Sequence, residues 1–174
     1  MPIIQLVKKA QNGDHKAYIE LFQTYEPEIY RMAYLYVKNK NDALDVVQEV
    51  AYRSYKNLGT LENPQYFKTW LIKITITSAL NVLKQKKRMI PMKPEYEPFI
   101  GSQEDINIPL SLSLQQLLDA LNEEEKSVIL LKFYYDYTFN EIAKVLQIPL
   151  GTAKSVLYRA LQKLRKQTKE AGDL

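Results

Sequence analysis

The sequence predicts an all-α protein of two small helical domains joined by a proline-rich linker. Three observations predict it. Apolar residues recur at i, i+3, i+4 along most of the chain, and long alternating strand patterns are absent. Glycine is scarce, five residues in 174, so helix formers fill the periodic segments. From 89 to 110 the composition shifts: Pro91, Pro94, Pro98 and Pro109 appear with Gly101 and acidic residues, too proline-rich for a helix. The expected division is a domain over 1–88, a linker over 89–110 and a second domain over 111–174. No internal repeat at a solenoid period is present.

Ile3 to Ala10 is a short amphipathic segment stopped by Gly13-Asp14, where Asp14 can cap the next helix. From His15 to Lys38 the residues Tyr18, Leu21, Phe22, Tyr25, Ile29, Met32, Ala33 and Tyr36 keep helical spacing. Pro27 lacks a backbone donor and predicts a kink or a short break near Glu26. His15, the one histidine, reads as a solvated residue near a helix start without partners for a metal.

Asn39-Lys40-Asn41 predicts a turn, with Asn41 capping a helix from Asp42 to about Asn57. Ala43, Val46, Val47 and Val50 give that helix an apolar stripe. Asp42, Asp45 and Glu49 fall at i, i+3, i+7, so three carboxylates share one side. Such a row suits a solvated face or protein docking. A metal or acid–base site would need a histidine or a second carboxylate cluster nearby, and the sequence has neither there.

Leu58 to Pro64 reads as a loop, followed by a helix from Pro64 to about Arg88. Tyr66, Phe67, Trp70, Leu71, Ile74, Leu80 and Leu83 follow helical spacing and are expected in the core rather than as base-stacking groups. Lys84, Lys86, Lys87 and Arg88 close the helix. Four cations there favour the helix dipole, and they also make a patch for phosphates. Beyond the linker, Leu112, Leu114, Leu117, Leu118 and Leu121 begin a helix, Asn122 and Glu125 form a cap, and Val128, Leu131, Lys132 and Tyr135 lead on.

The stretch TFNEIAKVLQIPLGTAKSVLYRALQKLRK, Thr138 to Lys166, carries the most information. Thr138 and Glu141 have capping-box spacing. Ile142, Val145 and Leu146 make one side of a short helix, which Gln147-Ile148-Pro149 breaks. Ala153, Val156, Leu157, Ala160, Leu161 and Leu164 form one buried stripe of a second helix. Lys154, Ser155, Tyr158, Arg159, Gln162 and Lys166 share its opposite face. That is a helix-turn-helix whose outer face fits the DNA major groove, where Arg and Lys donate to guanine and Ser to several bases. An ordinary amphipathic hairpin with a solvated charged face has the same pattern.

Composition narrows the classes further. Residues are 46% hydrophobic and the net charge is +4, so a packed core is affordable and nucleic-acid binding is permitted but not required. Cysteine is absent, which excludes disulfides and thiol chemistry. Apolar runs such as Val128 to Leu131 are too short for a transmembrane helix or signal peptide, so a soluble intracellular protein is expected, without membrane insertion. A phosphate-cradling glycine motif, a zinc-ligand cluster and a nucleophile–base pair are all missing from the sequence, so no catalytic residue, metal or cofactor is expected.

Three stretches together resemble the extracytoplasmic-function (ECF) group of the sigma-70 family of bacterial RNA polymerase sigma factors. DALDVVQEV resembles the family's D-A-x-D-x-x-Q-E segment, YFKTWLIKI its F-x-x-W-L-x-x-I, and GTAKSVLYRALQKLRK its G-T-V-K-S-R-x-x-R-A-x-x-x-L-R. The resemblance covers nearly the whole chain, as a sigma-2 domain, a linker and a sigma-4 domain. It implies that Asp42, Asp45, Gln48 and Glu49 meet the coiled coil of the polymerase β′ subunit, with the β flap as a further polymerase contact. It implies that Asn57, Leu58, Gly59, Thr60, Leu61, Glu62 and Asn63 lie where ECF factors capture a flipped minus-10 base. Lys84, Lys86, Lys87 and Arg88 would track phosphates by the minus-10 element. Thr152, Lys154, Ser155, Tyr158, Arg159 and Lys163 would meet the minus-35 element. The chain departs from the family pattern at Thr77 and Asn81, where Asn and Asp are usual, and at Lys84, usually Arg. It departs also at Val156, usually Arg, and at Asn122, usually Pro. These departures bear on promoter preference, not on fold.

The resemblance thus implies a cytoplasmic, nucleoid-associated factor that makes and breaks no bonds. It would bind core polymerase, place both promoter elements and answer to an anti-sigma factor, which could hold it at the membrane. Two other classes fit the residues alone. One is a conventional helix-turn-helix regulator that binds operator DNA without polymerase, as a dimer on a palindrome. The other is a helical adaptor that binds only protein through its acidic helix.

Overall fold

The computed structural model of the chain describes residues 1–89 and 112–172, and every regular element among them is helical. Helix α1 spans Ile3–Gln11, α2 His15–Val37, α3 Lys40–Asn57 and α4 Phe67–Met89. Then come α5 over Leu112–Asp119, α6 over Glu123–Ile129, α7 over Phe139–Leu146 and α8 over Leu150–Gly172. The expected linker lies, from residue 90 on, outside the described residues, as do the side chains of Leu112 and Leu114.

Local chemistry sets the boundaries. Gly13 takes φ +91°, a conformation that L side chains rarely adopt, and turns the chain so that the Asp14 carboxylate accepts the Ala17 N–H at 3.1 Å. Helix α2 runs unbroken through Pro27, so of the kink or short break expected near Glu26 the break does not form. A proline removes one ladder bond, and Phe22 and Ile29, buried on either side of it, hold the two halves in one core. At its end Lys38 turns left-handed, φ 54°, which leaves Asn39 as the first extended residue. Asn39, not Asn41, therefore caps α3, and its side chain accepts the Asp42 N–H at 3.1 Å.

In the first unit α2 packs against α1, α3 and α4, with Leu21, Val46, Val50, Phe67 and Leu71 fully buried at the centre. In the second unit both predicted capping boxes form, Asn122 with Glu125 and Thr138 with Glu141. After α6 the backbone widens into a π turn over Leu130–Tyr134, where the Tyr135 N–H reaches the Leu130 carbonyl at 3.1 Å. Gln147, φ 55°, closes α7, and the Pro149 carbonyl accepts the Ala153 N–H to start α8. Ala153, Val156, Leu157 and Ala160 bury their side chains against α6 and α7, as the stripe predicts.

The two units touch. Tyr36 at the end of α2 lies 2.5 Å from Ser127 on α6, and Lys126 donates to the Leu35 carbonyl at 3.0 Å. Lys38 pairs with Asp119 at 2.7 Å, Lys87 with Glu123 at 3.1 Å, and the Tyr137 hydroxyl donates to Thr69 at 3.2 Å.

Candidate nucleic-acid interface

The outer face of α8 is free. Lys154, Ser155, Tyr158 and Arg159 are exposed on the side opposite the buried stripe, and Tyr158 is 70% exposed. The Ser155 hydroxyl donates to the Gly151 carbonyl at 2.9 Å, which leaves its oxygen to accept from a base or water. The Lys154 ammonium lies 5.9 Å from the Phe139 ring centre on α7, and the residue stays exposed. Thr152 is half-buried at the start of the face.

Lys163 is placed differently. Its amine lies 2.8 Å from the carboxylate of Glu125, which is 2% exposed and also accepts the Asn122 N–H at 3.1 Å. Burial works to raise the Glu125 carboxyl. The Lys163 hydrogen bond, the Asn122 N–H and the charges of Lys163 and Arg159 outweigh it and hold the group below the ordinary carboxylate value. Lys163 therefore ties α8 to α6. Sequence reasoning found Glu125 only as a cap, because nothing in local spacing pairs residue 125 with residue 163.

The segment from Asn57 to Asn63 holds one short 3₁₀ turn, Leu58–Thr60, and leads into a second, Pro64–Tyr66. Leu58 and Leu61 are core side chains, so they pin the segment rather than face outward. The Gln11 side-chain amide donates to both of their carbonyls, at 3.1 and 2.8 Å, an anchor the sequence did not reveal. Asn57, Gly59, Thr60, Glu62 and Asn63 are left exposed. Tyr66, expected in the core, is 60% exposed because it sits in the 3₁₀ turn, out of phase with Phe67 and Trp70 on α4.

Of the cations closing α4, Lys86 pairs with Asp42 and Lys87 with Glu123, while Lys84 and Arg88 make no ion pair among the described residues. The Lys86 pair draws Asp42 toward α4 and out of the acidic row. Asp45, Gln48 and Glu49 stay exposed on α3, with Arg53 at 4.0 Å from Glu49. His15 faces Tyr55, its Nδ1 2.6 Å from the hydroxyl. Among the described residues no group of His, Cys, Asp or Glu could hold a metal ion, and no helix is long and apolar enough to cross a membrane.

Two helical units, one presenting a cationic helix-turn-helix face and the other an acidic face and a cationic helix end, define a helix-turn-helix protein with a second, separately charged helical unit. Known proteins narrow this class. The family model for sigma-70 region 2 matches residues 21–89, and that for sigma-70 region 4 matches residues 117–166. RNA polymerase sigma factor SigV of Bacillus subtilis is 35% identical over 147 residues, 84% of this chain and 88% of that one. The ECF RNA polymerase sigma-E factor of Escherichia coli is 31% identical, covering 89% of this chain and 88% of its own. Among solved structures, sigma factor RpoE of Bartonella quintana, in complex with the anti-sigma factor NepR, shares the fold. Its TM-score is 0.67 at 17% identity, covering 88% of this chain and 98% of that one. The chain belongs to the sigma-70 family of RNA polymerase sigma factors, in its ECF group. Its function is that of a sigma factor, promoter-specific initiation of transcription.

Proposed function

We propose that residues 1–88 form the polymerase-docking and minus-10 domain and residues 111–174 the minus-35 domain, each on the face described above. Asp45, Gln48 and Glu49 on α3 meet the β′ coiled coil, and the second unit meets the β flap. Gly59, Thr60, Glu62 and Asn63, beside Asn57, hold a minus-10 base, while Lys84 and Arg88 take phosphates without choosing bases. Lys154, Ser155, Tyr158 and Arg159 read the minus-35 groove. The observation that carries this assignment is the outer face of α8, where four adjacent polar or cationic side chains stand clear of the fold's own ion pairs.

The partners are core polymerase, promoter DNA and an anti-sigma factor of the kind named for the Bartonella quintana relative. The protein acts in the cytoplasm, on the nucleoid, and makes and breaks no covalent bond. Two weak readers joined in one chain raise each other's effective concentration, so neither needs high affinity alone. The test is transcription in vitro from a promoter library randomised at both elements, with purified core and this chain. Initiation that requires both components supports the proposal. Tight binding of palindromic DNA by the chain alone, without any initiation, would overturn it in favour of a conventional regulator.

A further inference from the structure

Gln11 ends α1, and the corner that follows holds it in place. The Gly13 N–H donates to the Ala10 carbonyl at 3.0 Å and the Asp14 N–H to the Lys9 carbonyl at 3.1 Å, so the last turn of α1 is closed. From that turn the half-buried Gln11 side chain reaches the segment after α3. Its amide nitrogen donates to two carbonyls there, Leu58 at 3.1 Å and Leu61 at 2.8 Å. The Leu58 carbonyl also accepts the Leu61 N–H at 3.2 Å, whereas the Leu61 carbonyl has the Gln11 amide as its one partner among the described residues. On the far side of the same corner His15 Nδ1 lies 2.6 Å from the Tyr55 hydroxyl, so the corner grips the end of α3 as well.

The buried side chains of Leu58 and Leu61 fix where the segment is attached, and the two carbonyl bonds fix how its backbone is turned. Leu61 is extended, with φ −77° and ψ 102°, and so is Asn63, with φ −116° and ψ 112°, before the next 3₁₀ turn begins. Gly59 and Thr60 precede the anchored Leu61, Glu62 and Asn63 follow it, and all four are exposed. Turning the peptide at Leu61 would carry these groups to new places while both leucines stayed buried.

We infer that Gln11 is a positioning residue for promoter recognition. From α1, 47 and 50 residues away from its two partners in sequence, its amide holds the segment's backbone in one course. Thr60, Glu62 and Asn63 then meet an unpaired minus-10 base as a preformed surface. This rests on the minus-10 reading of that segment. Gln11 acts through the segment and not on the base. A segment ordered before DNA arrives offers its hydrogen-bonding groups in fixed directions and so rejects a base that does not match them. A segment that orders only on binding loses part of each contact to its own ordering and adapts to several bases.

The test compares the full-length parent with Gln11→Met, Gln11→Lys and the double variant Thr60→Ala, Glu62→Ala, each with purified core polymerase. Two promoter libraries are transcribed, one randomised at the minus-10 element and one at the minus-35 element. Met matches Gln in reach and helix propensity but donates nothing, while Lys keeps donors at a similar reach. Gln11→Met should relax preference at one minus-10 position by about three- to tenfold, the effect of a few contacts that must now order on binding. The position should be one that the double variant also relaxes. Minus-35 preference and affinity for core should match the parent. Gln11→Lys should keep the parent's minus-10 preference, since its added charge scales promoters together without reordering them. Should Gln11→Met lose helical content, Gln11→Glu, the same shape without a donor at neutral pH, takes its place in the same comparison. An unchanged minus-10 preference, an equal loss on every promoter, or relaxation by Gln11→Lys as large as by the donor-free variant would each overturn the positioning role. A double variant without effect on minus-10 preference would instead remove the segment's own role, and the inference with it.

Discussion

Lys163 of α8 reaches across to α6, where its amine lies 2.8 Å from the buried carboxylate of Glu125. The pair fixes the recognition helix to its support, so its loss should be felt in stability. Lys163→Ala leaves that carboxylate with the Asn122 N–H alone and should cost about 1–3 kcal/mol, read as a lower thermal midpoint. Preference among minus-35 sequences should stay in the same order. A variant as stable as the parent with a reordered preference would return Lys163 to the reading face.

The same carboxylate makes stability depend on pH, with a definite sign. Its folded-state value is depressed below the ordinary 4.5, so the stabilisation is complete above that value and is lost as pH falls through the lower folded value. Glu123 is depressed too, first by its own backbone N–H and then by Lys87, and adds in the same direction. Thermal midpoints of the parent should fall steeply below about pH 4.5, and Glu125→Gln should make that fall shallower. Equal slopes for the two proteins would mean that Glu125 titrates alike in both states.

Base readers and phosphate holders should separate in a library experiment. Arg159→Ala removes an exposed side chain from the outer face of α8 and should cost about 1–3 kcal/mol at one minus-35 position, relaxing preference there. Lys84→Ala with Arg88→Ala should lower output across all promoters without reordering them and flatten the salt dependence by roughly one unit of slope per charge. These two cations serve the test better than Lys86 and Lys87, whose loss would also break ion pairs to Asp42 and Glu123. If Arg159→Ala merely scaled every promoter down, its contact would be to phosphate.

Polymerase docking can be probed on the exposed part of α3. Asp45→Lys with Glu49→Lys should weaken binding to core and leave helical content unchanged, since both side chains lie outside the first unit's packing. The loss should fall mainly on the association rate and be largest at low salt, because the charges steer encounter. Unaltered affinity would remove this face from the docking surface.

The sequence by itself determined the helices, most of their caps, though not that of α3, and the faces of the helix-turn-helix. Those depend on local periodicity and on side chains within a few residues of one another: Asp14 on Ala17, Thr138 with Glu141, and Ala153 to Ala160 in phase. It determined the family as well, through three motifs in order. Tertiary structure decided which of the chemically suitable residues are free to act. Lys163, Lys86 and Lys87 carry the same charge as Lys84 and Arg88, yet each is drawn to an acid 36 or more residues away. Leu58 and Leu61 share a segment with Gly59 and Thr60, yet the core takes them, and the Gln11 amide holds them there. The burial of Lys126 against Leu35, 91 residues away, exists only once the two units meet. Such pairings turn on distances in space, and no spacing along the chain encodes those.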